Sequence, residues 1–119
     1  MSKRDDQRIA ALARKNGLEV SLQDVAPGRS NVLVRLRPTG ATTHRVLLAP
    51  HLDTVGLPAL DAQLTPRVQA GRLHGRGACD TKGTMAAMLW ALHELRDELA
   101  DLPVAVAFVG LMGEEAGQP

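Results

Sequence analysis

Two uninterrupted apolar runs, 46–49 and 104–109, most constrain the fold of this chain. A strand that is buried on both faces lacks the polar alternation of a half-exposed strand, and such strands lie at the centre of helix-covered sheets. The segments 18–22 and 32–36 instead alternate apolar and polar residues, which predicts strands with one face in water. The sequence therefore predicts a sheet with a buried centre and wetter outer strands.

Helical periodicity flanks these strands. Residues 8–15 form a short amphipathic pattern that stops at Asn16-Gly17, a typical helix end. A second helix is predicted from Thr81 onwards, and its first half, 85–92, is apolar nearly all round, so we expect that end to be buried. A small hairpin is predicted at 67–74. Helix, strands, helix and strand in this order predict an α/β layered fold.

Composition narrows the function classes. The 119 residues are enough for one compact domain. The net charge of +1 argues against binding to nucleic acid or to an anionic membrane surface. The apolar runs are far shorter than the ~20 residues that span a bilayer, and the segment 1–6 has no apolar region behind it that would make a secretory signal. The single cysteine, Cys79, excludes an internal disulfide and fits a reducing compartment, so we expect a cytoplasmic protein.

Polar residues follow the apolar runs. His51 and Asp53 follow the first run, Glu114 and Glu115 follow the second, and Asp80 opens the second helix. Ligands of α/β sheets bind beyond the carboxyl ends of the strands, so we expect these side chains to meet at one edge. Two unit charges 4 Å apart repel by about 4 kcal/mol at an effective dielectric of 20, and a divalent cation reverses that sign. The pattern indicates a site for zinc, cobalt or manganese.

Each of these residues also has a simpler interpretation. Asp80 could cap its helix, His51 could be a hydrogen-bonded histidine at a strand end, and Asp53 could form a turn. The pair 114–115 could be a solvated loop, and Cys79 could be a small buried residue. Their conjunction favours the metal site. A non-catalytic α/β module is the alternative from another class, whereas a nucleotide-binding fold lacks its glycine-rich phosphate loop here.

Three ordered motifs carry a resemblance to a known family. The segments 49–55, 75–83 and 113–117 resemble those of the co-catalytic zinc peptidases and deacylases, which include acetylornithine deacetylase, succinyl-diaminopimelate desuccinylase, aminoacylase and glutamate carboxypeptidase. The likeness runs from about Leu18 to the end of the chain. It implies an αβα layered zinc-hydrolase catalytic domain with a mixed, mostly parallel sheet. Residues 1–119 would be a truncated part of that domain, with the lid or dimerisation domain absent.

The resemblance also implies roles for the candidate residues. His51 would ligate one Zn²⁺, Glu115 would ligate a second, and Asp80 would bridge the two, with Co²⁺ or Mn²⁺ as alternatives. Asp53 would hold the imidazole through its other ring nitrogen, and Glu114 would be the general base. The peptide bond from Asp80 to the next residue would be cis.

The implied reaction is hydrolysis of amide bonds in N-acyl amino acids or small peptides, as in acetylornithine deacetylase. A dipeptidase or carboxypeptidase of the same family is the alternative, and complete relatives are expected to be homodimers. The family pattern has five metal ligands, and only His51, Asp80 and Glu115 match them here. We therefore expect the chain by itself to bind zinc weakly and to have negligible amidase activity.

Overall fold

The computed structural model describes residues 5–56, 62–115 and 117. Its helices and strands follow the predicted order of elements. They are α1 (Asp5–Lys15), β1 (Glu19–Ala26), β2 (Arg29–Leu36), β3 (His44–Leu48), β4 (Arg67–Gln69), β5 (Arg72–His74), α2 (Gly83–Ala100) and β6 (Val104–Gly110). An irregular helical turn over Ala78–Lys82 leads into α2. No helix within the described ranges is both long and apolar enough to cross a membrane.

Four strands form the main sheet, in the order β1-β2-β6-β3. The α/β class and the mixed sheet are confirmed, because β3 and β6 run parallel while β1–β2 and β2–β6 are antiparallel. The prediction of mostly parallel strands is wrong for the described residues. For β1 and β2 the cause is the tight turn at Pro27-Gly28 that joins them, where Gly28 adopts a φ of +68°. A short hairpin of this kind can join only antiparallel neighbours.

The first apolar run does not lie at the centre of the described sheet. Among the described strands β3 pairs only with β6, and Leu47 is 65% exposed. The inner position belongs to the second run, in which Val106, Phe108 and Gly110 are buried. Burial on both faces was therefore the wrong expectation for 46–49. An apolar run predicts a strand with apolar side chains, but it does not determine which strands lie on either side of it in the sheet.

Both helices pack on the same face of the main sheet. Buried residues of α1 and α2 join those of β2 and β6 in one aliphatic cluster around Phe108, which is fully buried. The described residues therefore form a helical layer and a sheet, and within them no helix covers the opposite face. The three-layer αβα arrangement is seen here only as these two layers.

Helix α2 is more exposed than its composition predicted. Met85 and Leu92 are buried on its inner face, but Trp90, in the half that is apolar all round, is 64% exposed. The expectation that this half is buried on all sides is wrong for the described structure. Only the face towards the sheet has a partner within the described residues.

We expect Phe108→Ala to lower the free energy of unfolding by about 3–5 kcal/mol, because it removes the largest fully buried side chain from the cluster. Leu73→Ala is the control, since that side chain is 62% exposed and its truncation should change stability by no more than about 0.5 kcal/mol. Urea unfolding followed by circular dichroism measures both. Equal losses in the two variants would show that the core is not centred on Phe108.

Candidate metal centre

Backbone hydrogen bonds align the chain segments that follow β3 and β6. Beyond the strands, His51 and Leu111 form a parallel bridge. The Leu52 amide donates to the Leu111 carbonyl at 2.6 Å, and the Leu111 amide donates to the Pro50 carbonyl at 2.9 Å. The two loops that carry the candidate ligands therefore leave the sheet side by side, as the strand-end argument predicts.

The buried carboxylate of Asp53 holds the loop that follows β6. Its Oδ1 accepts the Glu114 backbone N–H at 3.1 Å, and its Oδ2 accepts the Glu115 backbone N–H at 3.0 Å. Asp53 is only 8% exposed, so these are shielded, charge-assisted hydrogen bonds. The carboxylate thereby fixes the starting positions of two candidate side chains.

Asp53 also orients the imidazole, chiefly through its backbone. His51 Nδ1 lies 2.9 Å from the Asp53 carbonyl oxygen and 3.4 Å from its carboxylate Oδ1. A ring in which Nδ1–H donates to that carbonyl carries its lone pair on Nε2. This arrangement turns Nε2 of His51 towards the acidic cluster, which is the orientation a metal-binding imidazole needs.

Asp80 reaches the same point from the irregular turn Ala78–Lys82. Its Oδ1 is 2.9 Å from His51 Nε2, and its side chain is 75% exposed. The peptide bond between Asp80 and Thr81 is cis, as the resemblance implies. The helix-capping alternative does not describe this residue, because the N-cap of α2 is Lys82 and no side chain caps it.

The two glutamates complete the cluster. His51 Nε2 lies 3.8 Å from Glu114 Oε2 and 4.0 Å from Glu115 Oε1. One ligand atom each from His51, Asp80 and Glu115 lie within 4.8 Å of one another. A tetrahedral ion with bonds of about 2.0–2.2 Å separates its ligand atoms by roughly 3.4 Å. Small side-chain rotations would bring the three atoms to that spacing, so their placement and chemistry fit a divalent cation.

The pKa values of His51 and Glu115 are both raised in this cluster of closely spaced carboxylates. Burial lowers the pKa of His51, but hydrogen bonds to Asp80 and to the Asp53 carbonyl, with the nearby carboxylates, raise it overall. Partial desolvation and the negative charges of Asp80 and Glu114 raise the pKa of Glu115, although His51 offsets part of this rise. The cluster thus favours added positive charge, which a proton or a cation can supply.

Sequence reasoning gave no role to Lys82. Its Nζ donates to Asp5 Oδ2 at 2.7 Å and also to the Leu52 carbonyl oxygen. The sequence feature that could have indicated a role for Lys82 is its position two residues after Asp80, inside one of the three motifs. Its partner Asp5 lies 77 positions away in sequence, and no local pattern connects the two.

Comparisons with known proteins show the family to which the chain is similar. Residues 47–119 match the model of Peptidase family M20/M25/M40. The chain is 32% identical over 117 residues to N-formyl-4-amino-5-aminomethyl-2-methylpyrimidine deformylase from Halalkalibacterium halodurans. The matched stretch covers 94% of this chain and 27% of that enzyme. The chain thus spans about a quarter of the length of this curated relative.

Solved structures share the fold. An M20 family metallo-carboxypeptidase from Sulfolobus solfataricus superposes with a TM-score of 0.78 at 24% identity, covering 94% of this chain and 26% of that one. Human carnosine dipeptidase 1 superposes with a TM-score of 0.75 at 27% identity, covering 96% of this chain and 27% of that one. Because the family model covers more than half of its residues, the chain belongs to Peptidase family M20/M25/M40, a family of metallohydrolases.

Proposed function

We propose that residues 1–119 are part of the catalytic domain of a metal-dependent hydrolase that cleaves amide bonds in N-acyl amino acids or small peptides. The observation that carries this proposal is the convergence of His51, Asp80 and Glu115, whose ligand atoms lie within 4.8 Å of one another. Family membership supports hydrolysis as the reaction class.

Zn²⁺ is the cation we assign to this site, with Co²⁺ or Mn²⁺ as alternatives. One imidazole and two carboxylates suit these borderline or hard ions, and the set contains no thiolate. His51 would hold one ion, Glu115 would hold another, and Asp80 would be shared between them. When bound, such ions lower the pKa of a coordinated water and polarise the carbonyl of the scissile amide.

Glu114 is the group we assign as general base. Its side chain is 58% exposed, and its Oε2 lies 3.8 Å from His51 Nε2, so it borders the cluster and faces solvent. Its Oε2 takes a proton from the attacking water as the new C–O bond forms. The same oxygen then delivers that proton to the departing amine nitrogen as the C–N bond breaks. Asp53 is not in contact with the reacting atoms in this scheme, and it holds His51 and the Glu114 backbone in place.

Two kinds of substrate are supported by the relatives. The Halalkalibacterium halodurans relative is named for removing an N-formyl group, and the human structure is named for cleaving a dipeptide. We place an N-acyl amino acid first, as in acetylornithine deacetylase, and a dipeptidase or carboxypeptidase activity second. The exposed thiol of Cys79 fits a reducing compartment, which supports a cytoplasmic location.

We expect His51→Ala, Asp80→Asn and Glu115→Gln each to weaken Zn²⁺ binding by at least about 10-fold, because losing a direct ligand costs no less than losing an outer-shell partner. Isothermal titration calorimetry, run at protein concentrations suited to weak binding, measures the affinities. Glu98→Gln is the control, since it removes an exposed carboxylate from the far part of α2. Equal affinities in all five proteins would contradict the assigned ligands.

We expect Glu114→Gln to keep the Zn²⁺ affinity of the wild type and to slow amide hydrolysis by about 10²–10⁴-fold, the usual contribution of a general base. Single-turnover assays at high protein concentration suit a chain whose steady-state activity is expected to be negligible. The substrates are N-formyl and N-acetyl amino acids and, in parallel, dipeptides. Cleavage of dipeptides alone would select the second activity. Equal single-turnover rates for the wild type and Glu114→Gln, both above the rate with free Zn²⁺ alone, would contradict the assigned role of Glu114.

A further inference from the structure

We infer that Lys82 is a positioning residue of the metal centre, an inference that rests on the proposed function. Its ammonium group donates to Asp5 Oδ2 at 2.7 Å and to the carbonyl oxygen of Leu52. These contacts tie the start of α1 to the turn that carries the candidate imidazole. Lys82 itself belongs to the turn that carries Asp80, so one side chain joins three segments of the chain.

The carbonyl group that Lys82 binds belongs to Leu52, the residue that directly follows the candidate ligand His51. Leu52 stands between His51 and Asp53, and its amide is already fixed by the Leu111 carbonyl at 2.6 Å. The ammonium therefore fixes the other end of the same residue. With both its N–H and its C=O held, the peptide units on either side of Leu52 have little freedom to rotate, and the direction of the imidazole is set.

The route of the lysine side chain depends on Gly77. A Cβ at position 77 would lie 3.3 Å from Lys82 Cγ and 2.7 Å from Thr54 Cγ2. Gly77 is buried and adopts a φ of +81°, which other residues rarely adopt. The Lys82 amide also donates to the Gly77 carbonyl at 2.8 Å. The glycine thus leaves room for the lysine stem to cross the turn and reach the carbonyl of Leu52.

Burial makes this ion pair different from a surface pair. The side chains of Lys82 and Asp5 are 26% and 20% exposed, whereas the pair of Arg37 and Glu19 on the sheet is 63% and 49% exposed. Partly buried charges are screened less by water and salt than exposed ones. Two of the three ammonium donors of Lys82 are engaged with Asp5 and Leu52, so we assign the group to positioning and not to contact with substrate.

Helix α1 gives the tie a rigid anchor. Asp5 is the first residue of α1, and Ile9, Ala10 and Ala13 of the same helix are buried in the aliphatic cluster. The ammonium therefore connects the metal-binding turn to the packed core, beyond its connection through the sheet. Loss of the ammonium should loosen the turn while leaving the cluster packed.

The test compares Lys82→Met, Lys82→Arg and Asp5→Asn with the wild-type chain. Methionine keeps the length of the stem and removes the charge, and arginine restores a cation. Lys15→Met is the matched control, because it makes the same chemical change at an exposed position at the other end of α1. Titration with Co²⁺, followed by visible absorption, reports affinity and ligand geometry together. In the metal-free protein, the NMR shifts of the His51 ring nitrogens report how the imidazole is held.

We expect Lys82→Met to weaken Co²⁺ binding by about 10-fold or more, the usual effect of losing an outer-shell partner, and to change the absorption spectrum. The ring-nitrogen shifts of His51 should move in the metal-free protein. Asp5→Asn should give smaller changes of the same kind, Lys82→Arg should recover part of the affinity, and Lys15→Met should match the wild type.

Two different results would distinguish a failure of the inference about Lys82 from a failure of the proposed function. A lower melting temperature for Lys82→Met and Asp5→Asn, with unchanged His51 shifts and an unchanged Co²⁺ spectrum, would assign the pair a purely structural role and overturn the inference. A wild-type chain that binds no Co²⁺ would instead contradict the proposed function. In that case, the His51 shifts of the metal-free variants still decide whether Lys82 positions the imidazole.

Discussion

The candidate metal centre depends most on the buried carboxylate of Asp53. Its two oxygens accept the backbone N–H groups of Glu114 and Glu115, while its own carbonyl oxygen lies 2.9 Å from His51 Nδ1. A hydrogen bond to a charged group contributes about 1.5–3 kcal/mol, and leaving a buried carboxylate without its donors costs more. One residue therefore sets the relative positions of an imidazole and two carboxylates that come from loops about 60 residues apart in sequence.

Electrostatics explains why such a cluster belongs to a metal-binding protein. Asp80, Glu114 and Glu115 lie close to the same ring nitrogen of His51, and their mutual repulsion contributes to the raised pKa of Glu115. The fold holds these like charges together through backbone hydrogen bonds that do not themselves neutralise them. The folded core holds the carboxylates together in spite of their repulsion. A bound cation would convert that repulsion into attraction.

The sequence predicted where the helices and strands lie along the chain better than it predicted which elements pack against one another. Periodicity located α1, α2 and the strands, and the strand-end rule brought His51 and Glu115 to one edge because that rule depends only on chain direction. The edge position of β3 and the exposure of Trp90 were not predicted, since an apolar residue does not specify its partner. The contact between Lys82 and Asp5 was also missed, because no local pattern links residues so distant in sequence.

X-ray absorption spectroscopy of the Zn²⁺-loaded chain tests most directly whether His51, Asp80 and Glu115 bind Zn²⁺. The structure predicts imidazole scattering together with oxygen ligands at about 2.0–2.2 Å, and the imidazole contribution should disappear in His51→Ala. A sulfur shell at about 2.3 Å, which would come from Cys79, or a shell of oxygen ligands alone in the wild-type chain, would contradict the assigned centre.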